Sequence, residues 1–199
     1  MYIFGASGHG KVIAEIAEEN NIQIEGFIDS DESKHSILTY PVKQSLPSLE
    51  TNNVVIAIGN NSIRRKIVTE NNQFQYVTLI HPNANISKSV TINEGSVVMA
   101  GATLNAEVQI GKHCIINTNA SVDHECMIED YVHISPNVSL AGNVSIGEGT
   151  HIGIGACVIQ GVKIGKWCTI GAGAVIIKDI PDCAVVVGNP GKIIKYNNQ

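Results

Sequence analysis

The sequence is poor in aromatic residues (5%) and in charged residues (16%), and it has no excess of basic ones. Its formal net charge of −5 argues against nucleic acid or an anionic membrane surface as a partner. No apolar run approaches the length of a membrane-spanning helix, and Met1 leads directly into a short strand, so neither a span nor a signal peptide is expected. The five cysteines are odd in number and form no CxxC, which predicts a reduced cytoplasmic protein without disulfides.

The central part of the chain carries a six-residue repeat. Every sixth residue from Ile86 to Ile176 is Ile, Leu or Val, and the residue two places before each of them is small or β-branched. Residues two apart share one face of a strand, so both columns point inward. A sustained period of this kind predicts a β-solenoid, and three such faces close a prism of about five coils. A purely structural prism that binds ice is the alternative, but it needs flat rows of Thr, and Thr is scattered here.

The residues before the repeat alternate between apolar strands and helices. Strands are predicted at 2–4, 22–28, 54–58 and 76–80, and helices at 11–17 and from Ile63, with Ser62 as N-cap. Residues 30–52 are weakly patterned and predict loops with room for a short strand. This alternation implies a small parallel sheet, which is half of a Rossmann-like unit.

The predicted organisation has three parts. A Rossmann-like α/β domain spans 1–81, a parallel β-helix spans 82–181, and a C-terminal tail spans 182–199. Beyond Ile176 the chain is expected to leave the prism at Pro181, to form one strand at 184–187 and to end in a polar tail.

A glycine-rich loop over residues 5–10 follows the first strand and opens the first helix, where free backbone N–H groups favour phosphate. Its spacing is GxxGxG instead of the dinucleotide GxGxxG, and Val12 stands where a P-loop needs Ser or Thr. Asp29 follows at the offset of a carboxylate that reaches a ribose or base, and Gly59 ends a further parallel strand at the same crevice. The three loops predict a mononucleotide pocket, with a tight turn that binds nothing as the alternative.

His124 and Glu125 occupy one corner of the predicted prism. Ala106 and Gly142 lie eighteen residues before and after His124, so small neighbours leave a notch beside the imidazole. A carboxylate beside a histidine fixes its tautomer and increases its basicity, as a general base requires. A solvated His–Glu pair without function is the alternative.

His133 and His151 point outward at equivalent places on adjacent coils. Stacked histidines suggest a metal, and γ-type carbonic anhydrases bind zinc on a related solenoid through two histidines five residues apart. No two histidines in this sequence are five apart, so no metal is expected.

These motifs resemble one branch of the hexapeptide-repeat acyltransferases, the bacterial nucleotide-sugar acetyltransferases. That branch includes UDP-4-amino-sugar N-acetyltransferases, perosamine N-acetyltransferases and sialic acid O-acetyltransferases. The resemblance covers nearly the whole chain, and Gly191, where Ala is usual, departs from it in the tail. Besides the hexad repeat and the glycine loop, it is carried by the segments 57–61, 81–82, 117–118, 124–126, 141–144 and 188–190.

The resemblance implies a left-handed parallel β-helix and a homotrimer whose acetyl-CoA groove forms between subunits. His124 would be the general base that takes a proton from the sugar amine, and Glu125 would increase its basicity. The groove for acetyl-CoA would be lined by His133, Gly142, Ile154 and Ala172. The nucleotide of the sugar would be held by Ser7, Gly8, His9, Asp29, Ser30 and Gly59.

The predicted function is therefore acetyl-CoA-dependent N-acetylation of the 4-amino group of a UDP-linked amino-dideoxy sugar in glycan biosynthesis. O-acetylation of sialic acid or another hydroxyl sugar, and N-acetylation of GDP-perosamine, are the enzymatic alternatives. A non-enzymatic sensor of sugar nucleotides is a further alternative, against which the His–Glu pair argues.

Overall fold

The computed structural model describes residues 1–45 and 53–197, and it contains an α/β region followed by a three-sided prism. Residues 46–52, which belong to the segment predicted as loops, lie outside the described residues. The helices of the α/β region are α1 (Gly8–Glu19) and α2 (Asn61–Glu70). Its strands are β1 (Tyr2–Phe4), β2 (Gly26–Ile28), β3 (Ser36–Ile37), β4 (Tyr40–Lys43), β5 (Asn53–Ile56) and β6 (Gln75–Tyr76).

The strands of the α/β region form one sheet in the order β3-β4-β2-β1-β5-β6. Every pairing in it is parallel except the short β3–β4 hairpin, which confirms the predicted parallel sheet. The central strands carry Ile3, Phe27 and Val55, all fully buried, against the apolar side of α1. The carboxyl ends of β1, β2 and β5 therefore lie side by side at one edge of the sheet.

Two predictions for this region were wrong. The second strand begins at Gly26 instead of Ile22, because Asn21 adopts a left-handed conformation (φ 56°) and the N–H of Ile22 closes the end of α1 on the carbonyl of Ala17. The N-cap of α2 is Asn60 instead of Ser62: the Asn60 side chain accepts a hydrogen bond from the N–H of Ile63 at 3.0 Å.

The prism is built from short strands separated by corners. From β7 to β23, strands that pair are eighteen residues apart, as in the register of Ile115 with His133 and of His133 with His151, which confirms the predicted coil. In chain order the strands are β7 (Leu79–Ile80), β8 (Asn85–Ile86), β9 (Thr91–Ile92), β10 (Val97–Val98), β11 (Thr103–Leu104), β12 (Gln109–Ile110), β13 (Ile115–Ile116), β14 (Ser121–Val122), β15 (Met127–Ile128), β16 (His133–Ile134), β17 (Ser139–Leu140), β18 (Ser145–Ile146), β19 (His151–Ile152), β20 (Cys157–Val158), β21 (Lys163–Ile164), β22 (Thr169–Ile170), β23 (Val175–Ile176), β24 (Ala184–Val187) and β25 (Lys192–Tyr196).

The prism strands form three sheets, which we call faces. Face 1 contains β7, β10, β13, β16, β19, β22, β24 and β25; face 2 contains β8, β11, β14, β17, β20 and β23; face 3 contains β9, β12, β15, β18 and β21. The two inward columns of the repeat form one continuous core, in which each fully buried Ile, Leu or Val contributes roughly 1.5–3 kcal/mol.

The α/β region packs on face 1. The outward side chains of Val97 and Ile115 on this face are each only 1% exposed, and they join the core that contains α1. In the same coils the outward residues of face 3, Gln109 and Met127, are exposed, and those of face 2, Thr103 and Ser121, are half-buried. One face of the prism is thus covered by the chain itself.

The two ends of the prism differ from the prediction. The expected strand at 76–80 is divided, because Tyr76 pairs with β5 whereas Leu79–Ile80 already pairs with β10 of face 1. The chain does not leave the prism at Pro181, because β24 extends face 1 by pairing with β22. The polar tail contains β25, which is antiparallel to β24. In the described part of the chain, no helix has the length and apolarity of a membrane span.

Candidate active site

The glycine-rich loop brings backbone close to backbone at the carboxyl end of β1. A Cβ on Gly10 would lie 2.2 Å from the carbonyl oxygen of Gly5, so only glycine fits there. A Cβ on Gly8 would meet nothing within 4 Å, and Ser7 beside it is exposed and makes no side-chain cap. The N-terminus of α1 therefore presents free backbone N–H groups to an open crevice, as the sequence predicts.

Asp29 holds this loop in place. Its Oδ2 accepts hydrogen bonds from the N–H of Ala6 at 2.8 Å and from Lys34 Nζ at 2.9 Å, and its Oδ1 accepts from the N–H of Asp31. Partial burial alone would raise the pKa of Asp29, but these hydrogen bonds outweigh it and the pKa lies below its ordinary value. The carboxylate is thus ionised at the crevice, and Ser30 next to it is exposed.

His9 lies in the same crevice, on the first turn of α1. Its Nε2 is buried and has no hydrogen-bond partner among the described residues. Burial and then the positive charge of Arg64 lower the pKa of His9 to about 4, so the imidazole is neutral at pH 7. A buried polar atom without a partner is costly unless something else satisfies it, which makes His9 a candidate for contact with a bound molecule.

His133 joins the crevice to the prism. Its Nδ1 donates to the carbonyl of Gly59 at 3.3 Å, and its Nε2 lies 3.1 Å from the amide nitrogen of Asn117. A carbonyl only accepts, so Nδ1 carries the proton and Nε2 accepts from Asn117. Burial, followed by the neighbouring His151 and Arg64, lowers the pKa of His133 to about 3. His133 is therefore held as one neutral tautomer.

His151 stacks on His133 with ring centroids 4.8 Å apart, and its Nε2 lies 2.8 Å from the hydroxyl oxygen of Ser135. Among the described residues, no three His, Cys, Asp or Glu side chains are arranged to hold a metal ion. Beyond His151, a cavity of about 1030 Å³ extends between α2 and the upper coils of face 1; its lining includes Gly59, Arg65 and Trp167.

His124 and Glu125 form a pair on the corner between faces 2 and 3. His124 Nδ1 lies 2.9 Å from Glu125 Oε2, and both side chains are more than half exposed. The carboxylate accepts, so Nδ1 carries the proton and Nε2 is left with a free lone pair. A Cβ on Gly142 would lie 2.5 Å from His124 Cε1, so the predicted notch is present and the ring occupies it.

His124 and the crevice do not meet within one chain. The α/β region covers face 1, whereas the corner that carries His124 lies between the other two faces. The sequence-based prediction has the sugar amine at His124 and its nucleotide in the crevice, which requires the two to be adjacent; within a single subunit they are not. Ile154, which is 53% exposed, and Ala172 lie eighteen residues apart on the corner between faces 1 and 2.

Two residues near His133, Arg64 and Asn117, were not predicted from the sequence to belong to the site. Asn117 contacts His133, and Arg64 is a buried side chain that contacts both the crevice loop and the prism. The contact of Asn117 with His133 has one signal in the sequence: Asn117 follows an inward Ile on the coil below His133. Two adjacent arginines on a helix gave no signal that one of them is buried.

Two family descriptions match this chain. Residues 1–71 match the PglD N-terminal domain, and residues 143–178 match the bacterial transferase hexapeptide (six repeats). Together with the prism, these matches define a hexapeptide-repeat transferase of the left-handed β-helix type.

Two solved structures show which kind of hexapeptide-repeat transferase the chain resembles. The chain is 42% identical, with a TM-score of 0.91, to the acetyltransferase domain of PglB from Neisseria gonorrhoeae, over 97% of this chain and 98% of that one. It is 38% identical, with a TM-score of 0.92, to a histidine-to-asparagine variant of perosamine N-acetyltransferase from Caulobacter crescentus in complex with CoA and GDP-perosamine, over 98% and 96% of the two chains. The chain belongs to this family of nucleotide-sugar acetyltransferases.

A further relative is matched over part of its length. The chain is 42% identical over 111 residues to UDP-N-acetylbacillosamine N-acetyltransferase from Bacillus subtilis (strain 168), which is 49% of this chain and 50% of that protein. The match thus spans about half the length of this curated relative.

Proposed function

We propose that the protein transfers an acetyl group from acetyl-CoA to the 4-amino group of a UDP-linked amino-dideoxy sugar for glycan biosynthesis. The observation that carries the proposal is the His124–Glu125 pair, whose Nδ1 to Oε2 distance of 2.9 Å leaves Nε2 as the basic atom. Two of the relatives named above, UDP-N-acetylbacillosamine N-acetyltransferase and perosamine N-acetyltransferase, are N-acetyltransferases, which supports an amine over a hydroxyl as the acceptor.

In this mechanism His124 moves one proton. Its Nε2 accepts a proton from the sugar amine as the nitrogen forms a bond to the thioester carbonyl carbon. The carbon–sulfur bond then breaks, and the departing thiolate of CoA receives a proton from His124. Glu125 stabilises the charged imidazole between these steps, and the remainder of the site contributes by holding both substrates in position.

The nucleotide sugar is placed in the crevice of the α/β region. The N-terminus of α1 at Ser7, Gly8 and His9 would hold the diphosphate, because free N–H groups and a helix N-terminus favour negative charge. Asp29 and Ser30 at the end of β2 would bind the nucleoside, and Gly59 would face the sugar. Of these residues, only Gly59 also lines the adjoining cavity of about 1030 Å³.

Acetyl-CoA is placed along the prism. His133, Gly142, Ile154 and Ala172 would line its groove, and the exposed apolar side chain of Ile154 suits the pantetheine arm. His133 lies at the junction of the two sites, since its ring contacts Gly59 on one side and the prism on the other.

We propose further that the working unit is a homotrimer. Because His124 and the crevice are on different sides of one chain, a complete site requires His124 from one subunit and the crevice of its neighbour. Exposed apolar side chains outside the covered face, among them Met127 at 48% and Ile159 at 45%, are consistent with contacts between prisms. We place this assembly in the cytoplasm, with the α/β region as its nucleotide-sugar-binding domain and the prism as its acetyltransferase domain.

The experiment is a coupled assay of CoA release with the UDP-linked 4-amino sugar. His124→Ala is expected to lower kcat/KM by about 10²–10⁴, the usual contribution of a positioned general base, and Glu125→Ala by less. The prism stays folded, because a corner side chain contributes nothing to the core. A His124→Ala enzyme with a near wild-type rate would contradict the assignment.

The shared site is tested by mixing two inactive variants. Subunits with His124→Ala and subunits with a Gly8→Trp change in the crevice are unfolded, mixed and refolded together. Mixed trimers should regain activity because some sites combine an intact His124 with an intact crevice. A mixture as inactive as its components, or a monomeric mass at full activity, would contradict the shared site. GDP- and CMP-linked sugars in the same assay test the choice of nucleotide.

A further inference from the structure

The junction between the α/β region and the prism contains an almost fully buried charged group. Arg64, on the first turn of α2, is 1% exposed. No carboxylate in residues 1–45 and 53–197 forms an ion pair with it. Burial lowers its pKa only to about 10, so the guanidinium is charged at neutral pH. Burying a charge without a counter-charge is expensive, so stability alone does not explain an arginine here.

The guanidinium is bound by oxygen atoms from both parts of the chain. Nε donates to the carbonyl of His113 at 2.8 Å and Nη2 to the carbonyl of Tyr131 at 2.7 Å, which lie on adjacent coils of the prism. Nη1 donates to the carbonyl of Ile58 at 2.8 Å, and Nη2 also donates to Asn61 Oδ1. Only the planar fork of arginine presents N–H groups in these several directions, and the single ammonium of lysine does not.

Arg64 binds the loop whose Gly59 carbonyl contacts His133. Ile58 precedes Gly59, and the Gly59 carbonyl, 3.4 Å from Arg64 Nη1, is the acceptor for His133 Nδ1. Lower on face 1 the buried part of the junction includes the apolar side chains of Leu79 and Val97. The buried guanidinium thus lies near the coil where the Gly59 loop meets the histidine.

We propose that Arg64 is a positioning residue: it fixes the Gly59 carbonyl against the prism and so holds the His133 ring in one tautomer and one orientation at the meeting point of the two substrates. The proposal rests on the proposed function only in giving His133 and Gly59 a place in the site. The groups that face His133 are His9 of α1, Arg64 of α2 and His151 of the next coil.

The test compares Arg64→Lys and Arg64→Met with Arg65→Met, whose side chain is 51% exposed at the next position of the helix and which serves as a control for the His133 tautomer alone. Nitrogen-15 NMR of labelled histidines reports the tautomer of His133 in the substrate-free protein, and a His133→Asn spectrum assigns its signals. Wild type and Arg65→Met should show protonated Nδ1. Arg64→Lys should show a mixture of tautomers and a kcat lower by about 10²-fold, the effect of a displacement near 1 Å.

Three results would overturn the proposal. The first is an Arg64→Lys protein with the wild-type tautomer of His133 and the wild-type kcat. The second is a fall in kcat without a change of tautomer. The third is failure of Arg64→Lys to fold, which would make Arg64 a residue of general stability. If Arg64→Met alone fails to fold, Arg64→Lys decides. Absence of acetyl transfer in wild type would contradict the proposed function but not the tautomer result, because the NMR measurement needs no substrate.

Discussion

Gly142→Ala tests the geometry of the catalytic pair with the smallest possible change. The backbone of Gly142 is not in the left-handed region, so alanine suits it. The added Cβ would lie 2.5 Å from His124 Cε1 and 2.6 Å from Nε2, whereas carbon atoms pack at about 3.5–4.0 Å. The imidazole must therefore retreat by about 1 Å, and the 2.9 Å hydrogen bond to Glu125 is stretched or lost.

A displacement of this size lowers the transfer rate by about 10²-fold, which corresponds to about 2.7 kcal/mol in the activation free energy. The assay is the initial rate of CoA release under saturating substrates, with thermal unfolding measured in parallel. Gly161→Ala on the same corner is the control. A Cβ on Gly161 would meet nothing within 4 Å, but the φ of this residue is +73°, which disfavours alanine. The Gly161→Ala enzyme should therefore lose about 1–2 kcal/mol of stability and keep the wild-type transfer rate. A Gly142→Ala enzyme with the wild-type rate would refute the placement of His124.

Two further predictions concern stability. Burial lowers the pKa of His113 from 6.5 to about 4. Between these two pH values the unfolded chain binds a proton at His113 that the folded chain does not bind, so stability that is present above pH 6.5 is lost as the pH falls toward 4. His113→Asn is the test, because asparagine suits the left-handed backbone at this position. When the pH is lowered from 7 to 5, the free energy of unfolding in urea should fall by about 2 kcal/mol less in His113→Asn than in wild type. An equal fall in both proteins would contradict the assignment. Asn60→Ala should lower the free energy of unfolding by about 1 kcal/mol and Ser62→Ala by clearly less; the reverse order would contradict Asn60 as the cap.

Much of the fold follows from the hexad repeat. An inward aliphatic residue at every sixth position leaves no other way to bury the columns, and the observed register of eighteen residues is the consequence. The two ends of the prism differ in this respect. Ile80 continues the six-residue period one step before Ile86, so the first strand of the prism has a side-chain signature. The last parallel strand, β24, does not, because Val185 pairs with Thr169 at an offset of sixteen residues.

The arrangement of the candidate site was only partly predictable. The His124–Glu125 contact follows from adjacency at a corner, and the notch follows from Gly142 eighteen residues later. The distance between His124 and the crevice within one chain depends on which face of the prism the α/β region covers. The apolar outward residues Val97 and Ile115 on face 1 carry that information, because the other faces present mostly polar side chains there.

The burial of Arg64 could not be predicted from the sequence. Arg64 and Arg65 are adjacent on one helix, yet the first is buried at the junction and the second is exposed beside Glu148. The difference arises from the docking of α2 against two coils of the prism, and no local pattern encodes that docking.

The most direct measurement of the central claim is mass spectrometry of the product formed from acetyl-CoA and a UDP-linked 4-amino-4,6-dideoxy sugar. We predict that the sugar nucleotide gains one acetyl group, that the product resists mild base as an amide does, and that His124→Ala abolishes most of it. A sugar nucleotide that stays unmodified, or a product whose acetyl group is released by mild base, would contradict N-acetylation of a UDP-linked sugar.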